Sequence, residues 1–266
     1  MNDNERYLFD LNGYLTVPNA ISAAQISALN AQIDEHVEQH SDRNAGYLGF
    51  NSVLDWRGPM LELIDNTRVM PYLETLFAPP PYRGADTGPY FRLDHTYVTV
   101  IRPGAKNAGA FTLHGGGAPY DPGQYYHVRD GRMFNGLIVV AYNLTDVNEG
   151  DGGLGCVPGS HKANFKLPND WNDLRKANPI SRSVTGPAGT AVFFTEALSH
   201  GTLPWTANHE RRTVFFKYNC YCTAFGDTYL DEGASTWDEL TPRQRLILEA
   251  PNARGKGRQR AQLQAH

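Results

Sequence analysis

The chain has 266 residues, of which 41% are hydrophobic and 20% charged, a composition typical of a folded globular protein and not of a disordered one. Its formal net charge of -4 provides no overall positive field, and no stretch reaches the roughly 18 apolar residues of a membrane span, so we expect neither a nucleic-acid partner nor a membrane segment. The polar, acidic start at Met1–Asp10 lacks the basic and apolar regions of a signal peptide, which predicts a cytoplasmic location.

Helices are predicted for the first part of the chain. Residues 9–18 indicate a short helix, a glycine turn and a strand. The segment Ser22–Gln25 has the form of a capping box, and apolar residues follow it at helical spacing, which predicts an amphipathic helix over 22–40. A second helix is predicted over 69–77, where the prolines at 79–81 would end it.

From about residue 90 the pattern changes to short β-rich runs separated by Gly and Pro clusters, as in a sandwich or barrel. These runs cover residues 90–102, 137–144, 181–184, 190–195 and 212–222. The segment Gly115 to Gly136 is too long for a hairpin turn and is predicted to be a functional loop. A last helix is expected to begin near Thr241-Pro242.

The element pattern predicts an α+β protein that forms a single domain over residues 1–266. Within it, residues 1–85 form a mainly helical N-terminal part and residues 86–225 a jelly-roll core. A C-terminal helix and tail occupy residues 226–266.

Two of the nine histidines lie at predicted strand ends. His114 precedes three consecutive glycines, a bare backbone that lets another group approach closely. His200 follows the apolar run 190–194 and precedes the pair Arg211-Arg212. Two such histidines can line one end of a barrel as metal ligands; the alternative is that both are satisfied core histidines.

Several segments follow one another in the order of a known family. The first is the short motif Phe9-x-x-x-Gly13-Tyr14-Leu15. The second is Pro-Gly-Ser-His-Lys within residues 151–162, and the third is the run 189–194 followed by His200-Gly201-Thr202. Arg211 lies eleven residues after His200. From residue 9 to about 220, this ordered set resembles the phytanoyl-CoA dioxygenase-like (PhyH) family of Fe(II)- and 2-oxoglutarate-dependent oxygenases.

The resemblance implies a double-stranded β-helix (jelly roll, cupin-like) core with N-terminal helices packed outside it. It implies Fe(II) bound by His114 and His200, 2-oxoglutarate that chelates the metal and pairs with Arg211, and O2 as co-substrate. Arginine suits this role because its planar guanidinium is permanently charged and matches a carboxylate. Thr202 is expected to touch 2-oxoglutarate and Tyr142 to line the site.

The expected partner is a small-molecule substrate whose unactivated C–H bond is functionalised by a monomeric or homodimeric enzyme. The loop that contains Tyr120, Tyr125, Tyr126, His127 and Arg129 is a candidate lid. Its aromatic faces and its cation suit a small polar or phosphate-bearing metabolite. Because members of the family act on many unrelated molecules, the resemblance does not identify the substrate.

The metal motif departs from the family at one position. Ordinary members carry His-x-Asp or His-x-Glu, whereas this chain has His114-Gly115-Gly116. In one interpretation, chloride fills the coordination position that Gly116 leaves vacant, as in related Fe(II)/2-oxoglutarate halogenases, and the enzyme halogenates. In a second, Asp121 from the long loop supplies the third metal ligand and the enzyme hydroxylates. In a third, the iron site has decayed and the chain is a non-catalytic cupin-like binding or scaffold protein.

Overall fold

The computed structural model describes residues 1–78, 88–105, 111–226 and 235–251. The prolines predicted to end the second helix, and the tail beyond residue 251, lie outside the described residues. The helices are α1 (Asp3–Asn12), α2 (Ala23–Gln39), α3 (Met70–Leu76) and α4 (Pro242–Leu248). None of the helices in this part of the chain is long and apolar enough to cross a membrane.

Local side-chain chemistry sets the starts of three of these helices. In α1, α2 and α4 the N-cap side chain accepts a hydrogen bond from the N3 backbone, and the N3 side chain accepts one from the N-cap backbone. The helices predicted over 22–40, over 69–77 and from Thr241-Pro242 are confirmed as α2, α3 and α4.

Eleven strands are present in the described residues: β1 (Tyr14–Val17), β2 (Tyr47–Asn51), β3 (Phe91–Ile101), β4 (Tyr126–Arg129), β5 (Arg132–Asn135), β6 (Ile138–Asn143), β7 (Gly153–Cys156), β8 (Arg182–Ser183), β9 (Ala191–Thr195), β10 (His200–Leu203) and β11 (Arg211–Cys220). They form a large antiparallel sheet in the order β1-β9-β6-β11-β3-β2 and a small sheet in the order β10-β7-β8. The β-rich runs predicted from about residue 90 are thereby confirmed as strands.

The prediction for residues 115–136 is wrong in part, because the segment contains the hairpin β4–β5. Tyr126 explains why this hairpin is ordered: it is buried, and its hydroxyl donates a hydrogen bond of 2.6 Å to Asp10 of α1. Tyr126 therefore anchors the hairpin to the first helix, whereas Tyr125 and His127 belong to a stacked aromatic row with Phe134.

The large sheet separates two apolar cores. The larger core packs one face of the sheet against the helices, and it includes Val140, Tyr142 and Phe216. The second core lies between the two sheets, where Ala141 and Phe215 of the large sheet meet Cys156 of the small one. Because successive strand residues face opposite sides, this division fixes the direction of every side chain on β6 and β11.

Candidate active site

His114 and His200 face each other where the small sheet ends. The two residues form an antiparallel bridge, in which the amide of His114 donates to the carbonyl of His200 at 2.8 Å and the reverse bond is 2.9 Å. Their ring centroids are 4.1 Å apart. The sequence therefore identified two histidines that tertiary structure brings into contact, although 86 positions separate them.

In each of these rings, one nitrogen lies near a backbone carbonyl, an arrangement that suits a metal-binding histidine. Nδ1 of His200 lies 2.7 Å from the carbonyl oxygen of Leu198, and Nδ1 of His114 lies 3.4 Å from that of Thr112. A carbonyl accepts a hydrogen bond only from a protonated Nδ1, so both rings are left with Nε2 free for a metal. Burial lowers the pKa of His200 to about 4, which keeps its imidazole neutral at neutral pH.

Glu196 supplies a carboxylate beside the two histidines. Among the described residues, His114, Glu196 and His200 form a group whose potential ligand atoms all lie within 4.8 Å of one another. Oε2 of Glu196 is 3.7 Å from Nε2 of His200, and the glutamate is buried. Two imidazoles and one carboxylate form the ligand set of non-haem Fe(II) oxygenases, so the residues present fit this metal.

The glycine run brings His114 to Glu196. The amide of Gly116 donates to the carbonyl of Ala197 at 2.9 Å. A Cβ atom on Gly115 would lie 2.4 Å from the carbonyl oxygen of Glu196, so this close approach requires glycine. Gly116 has a φ of 110°, which side-chain-bearing residues rarely adopt. The glycines that replace the usual carboxylate position therefore also allow this segment to pack closely against the backbone of Glu196 and Ala197.

Lys217 provides the countercharge for the buried carboxylate. Its Nζ donates to Oε1 of Glu196 at 2.5 Å, and 13% of its side chain is exposed. Burial alone would raise the pKa of Glu196, but charge attraction by Lys217 and the hydrogen bond from its ammonium group help to hold that pKa below its usual value. Because His200 is neutral at neutral pH, Lys217 supplies the positive charge that balances the carboxylate of Glu196.

Arg211 is a buried cation that faces the space between the sheets. Its Nε has no hydrogen-bond partner among the described residues, and no described carboxylate affects its pKa. Burial lowers that pKa to about 10, so the guanidinium is still charged at neutral pH. Arg212 points to the opposite face, as predicted, and pairs with Asp34 of α2 at 2.7 Å. A buried arginine without an acidic partner is suited to an anionic ligand.

Further polar groups surround Arg211 on the same face of the large sheet. Thr99 and Thr213 are opposite each other in the register of β3 and β11, and the hydroxyl oxygen of each is buried without a partner among the described residues. Tyr97 lies between the two halves of the site, since it is two residues from Thr99 on β3 and its ring centroid is 5.4 Å from Nζ of Lys217. These groups fit a carboxylate that is held at Arg211 while the rest of its molecule reaches the metal ligands.

Of the two remaining residues predicted near 2-oxoglutarate, Thr202 faces the site and Tyr142 does not. Thr202 lies two positions after His200 on β10, and the strand partners of both residues, Leu154 and Cys156, belong to the core between the sheets. Thr202 thus faces the site. Tyr142 does not: it is buried in the core next to the helices, and its hydroxyl lies 3.5 Å from the carbonyl of Leu63. The expectation that Tyr142 lines the site is corrected, because it lies on the outer face of β6.

Asp121 is not part of the group of potential metal ligands found in the described residues. Its Oδ1 accepts a hydrogen bond from the amide of Gly123 at 2.7 Å, and the residue is exposed. That bond gives Asp121 a local role at the start of the loop.

Sequence reasoning missed Glu196, although one signal was present. Between Thr190 and His200 it is the one ionisable residue in an apolar run, and a charge buried in such a run needs a partner or a metal. Lys217 is likewise a single charged residue that follows the apolar run 214–216 of β11. Without the register of the sheets, nothing connected these two residues with each other or with His114.

A search of known families matches residues 89–213 to the model of the phytanoyl-CoA dioxygenase (PhyH) family. The matched segment contains both histidines, Glu196 and Arg211. Among curated proteins, no relative matches the sequence.

Several solved structures share the fold. HygX from Streptomyces hygroscopicus with nickel and 2-oxoglutarate bound has a TM-score of 0.74 at 18% sequence identity and covers 88% of this chain and 93% of its own. The same protein with nickel, 2-oxoglutarate and hygromycin B gives 0.70 at 19% identity, with coverage of 88% and 93%. With iron bound it gives 0.69 at 18% identity, with coverage of 88% and 92%.

The jelly-roll fold and the His-Glu-His cluster define the class of Fe(II)- and 2-oxoglutarate-dependent dioxygenases. Within that class, residues 89–213 of this chain match the phytanoyl-CoA dioxygenase family.

Proposed function

We propose that the protein hydroxylates an unactivated C–H bond of a small metabolite and that Glu196 is the third iron ligand. The His114, Glu196 and His200 cluster carries this proposal, because it supplies from a neighbouring segment the carboxylate that the His-Gly-Gly triplet lacks. In the balanced reaction, one oxygen atom of O2 enters the substrate and the other enters succinate, while 2-oxoglutarate loses CO2. The bound iron supplies the activation of O2.

The chain's own residues supply binding and orientation. Arg211 pairs with the distal carboxylate of 2-oxoglutarate, and the unpartnered hydroxyls of Thr99 and Thr213 donate to it. Thr202 borders the same space from the small sheet. Because Arg211, Thr99 and Thr213 are buried and face the same space, little reorganisation is needed when 2-oxoglutarate binds.

A cavity of about 610 Å³ beside the glycine run is the proposed substrate site; it is lined by the chain neighbours of the two histidines, Leu113, Gly115 and Ser199. Phe165 and Lys166 line it as well. Its volume suits a drug-sized molecule. One of the similar structures holds hygromycin B, which supports a substrate of that general size. A cytoplasmic location and a monomeric or homodimeric state stay predictions.

Halogenation is the second candidate function, and two observations favour it. Gly116 carries no side chain at the motif's usual carboxylate position, and Lys217 engages one oxygen of Glu196. If the glutamate stays with the lysine instead of binding iron, chloride becomes the third ligand. The two candidates thus differ in one coordination position.

Anaerobic spectroscopy separates these functions without knowledge of the substrate. Fe(II) and 2-oxoglutarate are added to the apoprotein with and without chloride, and the metal-to-ligand charge-transfer band is recorded. We expect a band that chloride does not change. A band that shifts or sharpens with chloride would put the halide on the iron and favour halogenation instead, and the lack of both a band and Fe(II) binding would favour a binding or scaffold protein.

Two variants assign the third ligand. Glu196→Gln should lose stoichiometric Fe(II) binding, because a neutral amide is a poor iron ligand. The matched control Asp121→Asn should bind Fe(II) like the wild type, since its hydrogen bond to Gly123 is local. Loss of binding in Asp121→Asn, with binding kept in Glu196→Gln, would return the ligand role to Asp121.

A further inference from the structure

The two oxygens of Glu196 have different neighbours. Oε1 accepts a hydrogen bond from Nζ of Lys217 at 2.5 Å, whereas Oε2 lies on the side of His200, at 3.7 Å from its Nε2. The glutamate side chain is 3% exposed and the lysine side chain 13%, so water competes little for either group. One carboxylate oxygen is therefore engaged before any metal binds, and the other is available to a metal.

Lys217 is itself held in place. It lies on the face of β11 that points between the sheets, with His95 opposite it on β3. Its ammonium group lies 5.4 Å from the ring centroid of Tyr97, within the range of a cation–π contact. A lysine restrained by an aromatic ring, a carboxylate and burial has little freedom to release Oε1.

We infer that Lys217 is a positioning residue that restricts Glu196 to binding iron through one oxygen, an inference that rests on the proposed function. Iron of this class has about six coordination positions. Two histidines and a one-oxygen carboxylate leave three, which accommodate two oxygens of 2-oxoglutarate and one O2. A carboxylate bound through both oxygens leaves two, so 2-oxoglutarate and O2 compete.

The position of Glu196 in the chain explains why such a restraint is needed here. In His-x-Asp motifs the acidic side chain is one methylene shorter and comes two residues after the first histidine. Glu196 has a longer side chain and comes from the segment that precedes His200, so its carboxylate can rotate to present both oxygens. Lys217 removes that freedom by occupying Oε1.

The test measures Fe(II) and 2-oxoglutarate affinities in Lys217→Met, with Lys217→Arg as the conservative variant. We expect Lys217→Met to keep Fe(II) affinity within about threefold, because the metal replaces the lost positive charge, yet to bind 2-oxoglutarate at least tenfold more weakly and to show a weaker charge-transfer band. Lys217→Arg keeps an N–H donor and should restore most of the band. Lys162→Met is the matched control, since Lys162 pairs with Asp10 outside the site.

The outcomes separate this inference from the function on which it rests. Wild-type 2-oxoglutarate affinity and an unchanged band in Lys217→Met overturn the inference. Loss of Fe(II) binding in Lys217→Met also overturns it, because the lysine would then serve the charge of the ligand and not its coordination mode. Full Fe(II) affinity in Glu196→Gln refutes the assignment of the third ligand itself, whatever Lys217→Met does.

Discussion

Replacement of Arg211 with methionine should have opposite effects on the stability of the apoprotein and on its affinity for 2-oxoglutarate. Arg211 is 4% exposed, and its Nε has no partner among the described residues. Without an anionic ligand, its buried charge is a cost to the fold. With 2-oxoglutarate bound, the same charge has a carboxylate partner. Methionine has a similar length and no charge, so it removes both effects at once.

The magnitude follows from the pKa of the guanidinium. Burial lowers this pKa from 12.5 to about 10, despite favourable interactions with Tyr97 and Tyr47. At about 1.4 kcal/mol per pKa unit, keeping the group charged at neutral pH costs the folded apoprotein about 3 kcal/mol. The pKa is lowered on folding, so this cost is present at every pH below about 10. Arg211→Met should therefore raise the free energy of unfolding of the apoprotein by about 2 to 3 kcal/mol.

The loss of affinity is estimated separately. Truncation of one partner in a buried, hydrogen-bonded charge pair costs about 2 to 5 kcal/mol, which weakens 2-oxoglutarate binding by at least about 30-fold. Urea unfolding of the apoprotein measures the first effect, and titration of the charge-transfer band measures the second. Fe(II) affinity without 2-oxoglutarate should not change.

Arg212→Met is the matched control for this prediction. Arg212 faces the helices and pairs with Asp34 and Glu210, each at 2.7 Å. Its replacement should lower the stability of the apoprotein and leave 2-oxoglutarate affinity within twofold of the wild type. If Arg211→Met instead destabilises the apoprotein like Arg212→Met, or binds 2-oxoglutarate normally, the assignment of Arg211 to the ligand is refuted.

Three further predictions concern neighbouring positions. Gly116→Asp should lower stability by about 1 to 2 kcal/mol in urea unfolding without raising Fe(II) affinity, because its φ of 110° strains any side-chain-bearing residue. Tyr97→Phe should weaken 2-oxoglutarate binding about fivefold, as the loss of one hydrogen bond does, whereas Tyr142→Phe should leave it unchanged; equal effects would contradict the assigned faces of the sheet. Burial lowers the pKa of His161 from 6.5 to about 4, so the unfolded chain gains a proton first as the pH falls, and about 2 kcal/mol of stability should disappear between pH 7 and pH 5. His161→Gln should remove this part of the pH dependence, and an unchanged slope would exclude His161 as its source.

Local patterns in the sequence were sufficient for much of the fold. The capping box at Ser22 located α2, and the pair Thr241-Pro242 located the start of α4, because the hydrogen bonds that start a helix are made within four consecutive residues. The opposite directions of Arg211 and Arg212 followed from the alternation of a strand. The expectation for Tyr142 came from the family resemblance, and alternation could not correct it, since β6 is buried on both faces and its sequence does not indicate which face meets the helices.

The residues of the candidate site likewise fall into those that the sequence indicated and those that only the tertiary structure revealed. The sequence by itself singled out His114 and His200, each beside an apolar run and a glycine, and showed that a carboxylate is missing at position 116, because these are properties of contiguous residues. Tertiary structure alone decided that Glu196 supplies a carboxylate and that Lys217 holds one of its oxygens. Those contacts join side chains from separate segments, and their distances depend on the register of the sheets and on how closely the glycine run packs, neither of which is determined by local sequence.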